Sequence, residues 1–196
     1  MLTRNLFLML SVMILAACGE AEIPAPYHAI DITWQHPQPE FQLIDFNGKP
    51  RSLPDFKGKV VVLFFGYIHC PEACPTTLAD LAQVMRRLGT DAGRVQVLFI
   101  TLDPERDSPE LLAKFVPSFD PTFLGLYGDP RATAQAAKSF GVNYEKQAGK
   151  NGSYTLNHTT GIYILGATGK PLLSSPYGQP VDQLTADIKM LLDMGR

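Results

Sequence analysis

Val60-Val61-Val62-Leu63-Phe64-Phe65-Gly66-Tyr67-Ile68-His69-Cys70-Pro71-Glu72-Ala73-Cys74-Pro75 is the stretch whose reading decides the fold. Its first six residues are an unbroken β-branched and aromatic run, the pattern of a strand buried on both faces of a sheet. Two cysteines follow at once. Beyond them Leu78, Leu81, Ala82, Met85 and Leu88 recur at helical spacing, and Gly89 is a stop. The cysteines therefore sit where a buried strand ends and a helix begins, and in open α/β sheets sites gather at the carboxyl ends of strands. At i and i+4 they are expected on one face of a helix turn. The helix N-terminus brings partial positive charge and free N–H groups, which favour thiolate. Pro75 is tolerated because the first turn needs no amide donor there. Thiolate is the form that attacks disulfides and also the form that ligates soft metals.

Outward from that stretch the pattern alternates. Residues 41–46 alternate roughly as a strand and Asn47-Gly48 turns it. Residues 95–102 read as a second buried strand. Ser108-Pro109-Glu110 opens a helix, with Ser108 as cap and Pro109 in the first position. Residues 123–127 suggest a short strand, and 130–140 a helix ended by Gly141. Residues 162–165 and 171–174 read as a hairpin around 166–170, and 181–194 as a closing amphipathic helix. This order implies an α/β fold with a parallel-centred sheet and helices on both faces.

The chain has 196 residues, enough for one ordinary domain and an export signal. With 45% hydrophobic residues it can bury a real core, and a formal net charge of -2 gives no footprint for nucleic acid. Arg4, then the apolar stretch 6–15, then Leu15-Ala16-Ala17-Cys18-Gly19 reads as a lipoprotein signal over 1–17. Cys18 is the expected lipidated residue, anchoring the protein to a membrane. Residues 18–38, with Pro24, Pro26, Pro37 and Pro39 at or near them, read as a tether, and His28 and His36 as solvated linker residues. The domain is expected over 39–196. With Cys18 consumed by lipid, Cys70 and Cys74 remain as a local pair in an oxidising compartment, which points to redox chemistry or metal. A plain disulfide is the bland alternative. Three intervening residues, one more than the usual redox spacing, suit two thiolates reaching one metal ion.

Two further segments bear on the pair. In Tyr154-Thr155-Leu156-Asn157-His158-Thr159-Thr160-Gly161 the histidine precedes an apolar strand, where a lone histidine is ordinarily just a loop residue. Thioredoxin-like proteins carry a cis-proline there, packed on their cysteine pair. The segment resembles theirs, with His158 in the proline's place, which aims an imidazole at Cys70 and Cys74. Two thiolates and one imidazole form a soft three-coordinate set suited to copper, whereas structural zinc wants four ligands. In Asp103-Pro104-Glu105-Arg106-Asp107 the acid at 103 follows a buried strand and should emerge near the cysteines. It is either a tuning or docking residue or simply the ion-pair partner of Arg106. His69 points away from its neighbour Cys70 if strand alternation holds. Met85, Met190 and Met194 read as core.

Taken in order, residues 65–75, 103–107 and His158-Thr159 resemble the Sco/SenC family from about residue 40 onward. The resemblance implies a thioredoxin-like (peroxiredoxin-like) fold, a central mixed sheet flanked by helices. It implies one copper ion, Cu(I) or Cu(II), held by Cys70, Cys74 and His158, with the cysteines also a redox pair. It implies a metallochaperone for the binuclear copper centre of cytochrome c oxidase rather than a turnover enzyme. The partners would be the oxidase copper-site subunit, an upstream copper donor and a periplasmic thiol reductant. The place would be the periplasmic side of a bacterial membrane. Asp103 matches an acid of the family pattern. Many members carry Asp before the ligand histidine; here it is Asn157, which removes a charge beside the metal and bears on redox tuning or partner contact. The alternative is a thiol-disulfide reductase acting on the acceptor cysteines. A peroxidase-like reading lacks an Arg next to Cys70.

Overall fold

The structure, a computed structural model, describes residues 27–33 and 39–195. The expected leader, Cys18, His36 and most of the expected tether lie outside the described residues. The apolar run does form a strand whose seven residues are all buried. Around it the elements follow one another as β1 (Ile30–Asp31), β2 (Leu43–Asp45), β3 (Pro50–Arg51), β4 (Val60–Gly66), α1 (Ala73–Leu88), β5 (Val95–Thr101), α2 (Pro109–Phe115), β6 (Leu124–Tyr127), α3 (Pro130–Ser139), β7 (Tyr144–Ala148), β8 (Tyr154–His158), β9 (Ile162–Leu165), β10 (Pro171–Ser175) and α4 (Val181–Met194).

Eight strands form one sheet in the order β1-β10-β9-β4-β5-β6-β2-β3. β4, β5 and β6 are parallel, joined by α1 and α2; β9 runs antiparallel to β4, and β2 to β6. The sheet is therefore mixed, with β4 near its middle. Alternation along β4 divides the core. Phe64 meets Phe99, and Phe99 meets Phe115, on one face; Phe65 meets Phe140 and Tyr163 on the other. Phe64, Phe65, Phe99 and Phe140 are fully buried and contribute roughly 2 kcal/mol each, so both faces of β4 hold the site's strand rigidly.

The local signals work as their chemistry requires. Ser108 Oγ accepts from the Leu111 amide at 3.3 Å with Pro109 opening α2. Asp129 Oδ1 accepts from the Ala132 amide at 2.8 Å with Pro130 opening α3. Gly141, at φ 68°, turns the chain out of α3.

Three features differ from the sequence expectation. The first strand is confined to Leu43–Asp45, and Phe41 is buried outside the ladder. Residues 27–33, expected in the tether, are folded onto the sheet. Ile30 and Asp31 pair with β10, and the Asp187 carboxylate of α4 accepts from the His28 and Ala29 amides at 2.8 and 2.9 Å. A two-residue strand has no periodicity to read, and its anchor lies at the other end of the chain. Finally, residues 144–158 form a separate two-stranded sheet, β7 with β8, outside the main one.

Candidate metal and thiol site

The end of β4 delivers the chain into a turn closed by the Cys70 amide donating to the Tyr67 carbonyl at 3.2 Å. α1 begins only at Ala73. The expectation that both cysteines share a helix face is therefore corrected: Cys70 precedes the helix and Cys74 lies in its first turn. The Cys74 amide donates to Cys70 Sγ at 3.4 Å. The Cys70 sulfur thus stands where a capping side chain would, satisfying one of the free amides of the helix start. The helix end's partial positive charge faces it.

Both cysteines are free thiols, Cys70 half-buried and Cys74 fully buried. Burial pushes the Cys74 thiol far above its ordinary range, with Cys70 and the Asp107 carboxylate adding to the effect. An uncompensated thiolate is costly there. Cys74 is stable as a thiol, as half of a disulfide, or as a thiolate whose charge is matched by a bound cation. A soft cation fits that donor set.

On β8 alternate residues face inward: Tyr154, Leu156 and His158 are half-buried or buried, Thr155 and Asn157 exposed. His158 Nδ1 is 2.8 Å from the Thr159 carbonyl. A carbonyl only accepts, so Nδ1 carries the hydrogen and the Nε2 lone pair is left for a ligand. Burial lowers the pKa of the ring, against the opposing Thr159 bond, and favours the neutral form that metals take. The His158 ring meets Tyr67 edge-on, centroids 6.0 Å apart at 80°. Tyr67 in turn feels both thiols, and its carbonyl accepts from the Cys70 amide. Tyr67 is thus the neighbour that the cysteine pair and His158 share. Among the described residues no three His, Cys, Asp or Glu side chains converge closely enough to hold a metal. The expected aim of His158 at the cysteines is realised only to that shared neighbour, because its Nδ1 is tied to Thr159 and its ring packs on Tyr67.

The acid motif after β5 splits into two roles. Asp103 is buried and does pair with Arg106, its Oδ2 accepting from Nε at 2.5 Å, while Oδ1 accepts from the Tyr154 hydroxyl at 2.7 Å. The acid that reaches the cysteine turn is Asp107, which the sequence reading passed over. It is buried, and its Oδ2 accepts from the Ile68 amide at 2.9 Å and the Thr101 hydroxyl at 2.6 Å. Its Oδ1 lies 3.5 Å from His69 Nδ1. The Asp-Pro-Glu-Arg-Asp stretch held that signal, but which of its two acids turns inward depends on a loop. Asn157 faces solvent on the outer side of β8, beside His158 in an open hollow. Met85 is core, whereas Met194 is exposed and its sulfur lies 2.9 Å from the Tyr27 hydroxyl.

A family model described as SCO1/SenC matches residues 32–193. The chain belongs to the SCO1/SenC family. It is 40% identical over 145 residues to the human protein described as "Protein SCO2 homolog, mitochondrial", covering 72% of this chain and 54% of that one. The chain spans about half the length of the first curated relatives it matches. Among solved structures it resembles copper-bound ScoI of Bradyrhizobium japonicum, with a TM-score of 0.72 and 39% identity, covering 78% of this chain and 97% of that one. It also resembles a SCO1/SenC family lipoprotein from Bacillus anthracis, with a TM-score of 0.69 and 26% identity, covering 79% and 94%. The mixed sheet with flanking helices is the thioredoxin-like fold of these SCO1/SenC structures. Among the described residues no helix is long and apolar enough to cross a membrane.

Proposed function

We propose that this chain is a copper metallochaperone of cytochrome c oxidase assembly. One copper ion, Cu(I) or Cu(II), is cargo held by the Cys70 and Cys74 thiolates and His158 Nε2. The observation that carries the reading is the thiol pair at the start of α1. One sulfur is half-exposed and caps the helix; the other is buried where a lone negative charge is unstable. A soft cation shared by both sulfurs relieves that cost, and a neutral imidazole stands behind Tyr67 as the third donor. Capture releases the two thiol protons. Transfer to the copper-site subunit of the oxidase is ligand exchange, with partner thiolates replacing Cys70 first because it is the more accessible sulfur. An upstream donor supplies the copper, and a periplasmic thiol reductant keeps the pair reduced. Cys18, lipidated, holds the domain on the periplasmic side of a bacterial membrane; the lipoprotein name of the Bacillus anthracis relative supports the lipid anchor.

The deciding experiment is an anaerobic copper titration of the reduced full chain against a competing chelator, beside His158→Ala. The expected result is one tightly held copper, lost in Cys70→Ser and Cys74→Ser, with Cu(II) weakened most by His158→Ala. Stoichiometric binding in either cysteine variant would refute the site.

The same exposure asymmetry supports a second reading, a thiol-disulfide reductase. Cys70 as thiolate attacks a partner disulfide, and Cys74 then displaces the partner from the mixed disulfide, leaving this pair oxidised and the partner's cysteines reduced. Copper held weakly, or equally well without His158, would favour it.

A further inference from the structure

β8 carries His158 at one end and Tyr154 at the other, both on its inward side, with buried Leu156 between them. What holds the Tyr154 end also reaches the His158 end. Arg106 Nη1 donates to the Tyr154 carbonyl at 2.9 Å, and the guanidinium lies 3.6 Å from the Tyr154 ring centroid. Asp103 completes the bracket, accepting from Arg106 Nε on one oxygen and from the Tyr154 hydroxyl on the other. The same guanidinium stands 5.9 Å from the Tyr67 ring, which meets the His158 imidazole edge-on. Arg106 Nη2 is buried and has no hydrogen-bond partner. An arginine with an unsatisfied buried donor carries a cost.

We propose that Arg106 is the positioning residue for His158. Resting on the copper reading above, the inference is that the guanidinium fixes β8 at Tyr154 and the Tyr67 ring from behind. Together these set where the imidazole stands relative to Cys70 and Cys74. The planar fork is essential to this. A lysine keeps the charge but can neither bond the carbonyl and the carboxylate together nor stack over the Tyr154 ring. Charge balance alone, the competing role for a cation near two thiolates, is therefore separable from positioning by Arg106→Lys.

The test is a double-mutant cycle on the reduced full chain. Cu(II) affinity and the Cu(II) spectrum are measured for Arg106→Lys, alone and combined with His158→Ala. Alone, the change should weaken Cu(II) about tenfold and reduce the imidazole nitrogen signature in the spectrum. Combined with His158→Ala, it should alter affinity by no more than about twofold. Equal weakening in both backgrounds, or none in either, overturns the proposal. If Arg106→Lys folds poorly, Tyr154→Phe removes one bond of the bracket, the hydroxyl to Asp103, and should show the same dependence on His158. Amide hydrogen exchange of the metal-free protein gives an independent reading: the Tyr154–His158 amides should exchange several-fold faster in Arg106→Lys. Should the unchanged chain hold no copper, the functional reading falls, and unchanged exchange in Arg106→Lys would then overturn the positioning role by itself.

Discussion

Gly66 ends β4 so close to Cys74 that a Cβ placed on it would stand 2.9 Å from Cys74 Sγ, and equally 2.9 Å from Phe99 Cε2. The missing side chain is the space in which the buried sulfur sits. Phe99 is enclosed by Phe64 and Phe115 and cannot move aside cheaply. Gly66→Ala should therefore cost roughly 1–3 kcal/mol of stability through overpacking, read by denaturant unfolding. It should also weaken copper binding, because the sulfur must shift. An alanine variant with unaltered stability and affinity would show that this strand end yields.

The two thiols should differ sharply in reactivity. In the reduced, metal-free chain under native conditions, iodoacetamide should label Cys70 at least about tenfold faster than Cys74, since modification follows exposure and thiolate character. Peptide mass spectrometry reads the ratio. Equal rates would mean that the start of α1 does not shield Cys74, since modification of a transiently opened site follows the open population. Denaturant should abolish the difference.

Asp107 gives the fold a pH dependence of known sign. Burial holds its carboxyl above the ordinary value of 3.8, although the Thr101 and Ile68 bonds pull it down. The unfolded chain loses this proton near 3.8, whereas the folded chain keeps it to higher pH. In that window the folded state binds more protons, so stability falls as pH rises. The contribution is fully present below 3.8 and is lost once the pH passes the raised folded value. The unfolding free energy of Asp107→Asn should accordingly be flatter than that of the unchanged protein from pH 3.8 upward. Parallel curves would place the dependence on another group.

Much of the fold was readable because its signals are local. The run Val60 to Phe65, the cap at Ser108 with its proline, and the turn at Gly141 each act within a few residues. The sequence reading missed what depends on distant partners. β1 is placed by Asp187, which accepts the His28 and Ala29 amides just before it, and β8 is held by Asp103 and Arg106 from the loop after β5. β1 is too short to leave a periodic trace in residues 27–33, and the alternation of residues 154–158 does not say which distant residues hold β8.

The sequence by itself determined the chemistry of this protein: two thiols after a buried strand, an imidazole before the last hairpin, and the motif order that places the chain in its family. Only the tertiary structure decided which sulfur is buried, which acid approaches the thiols and what lies between them and His158. Donor types are properties of single residues and survive in any conformation. Burial, tautomer and proximity are properties of packing, set by residues such as Gly66, Tyr67 and Arg106 whose partners are fixed only when β4, the loop after β5 and β8 come together.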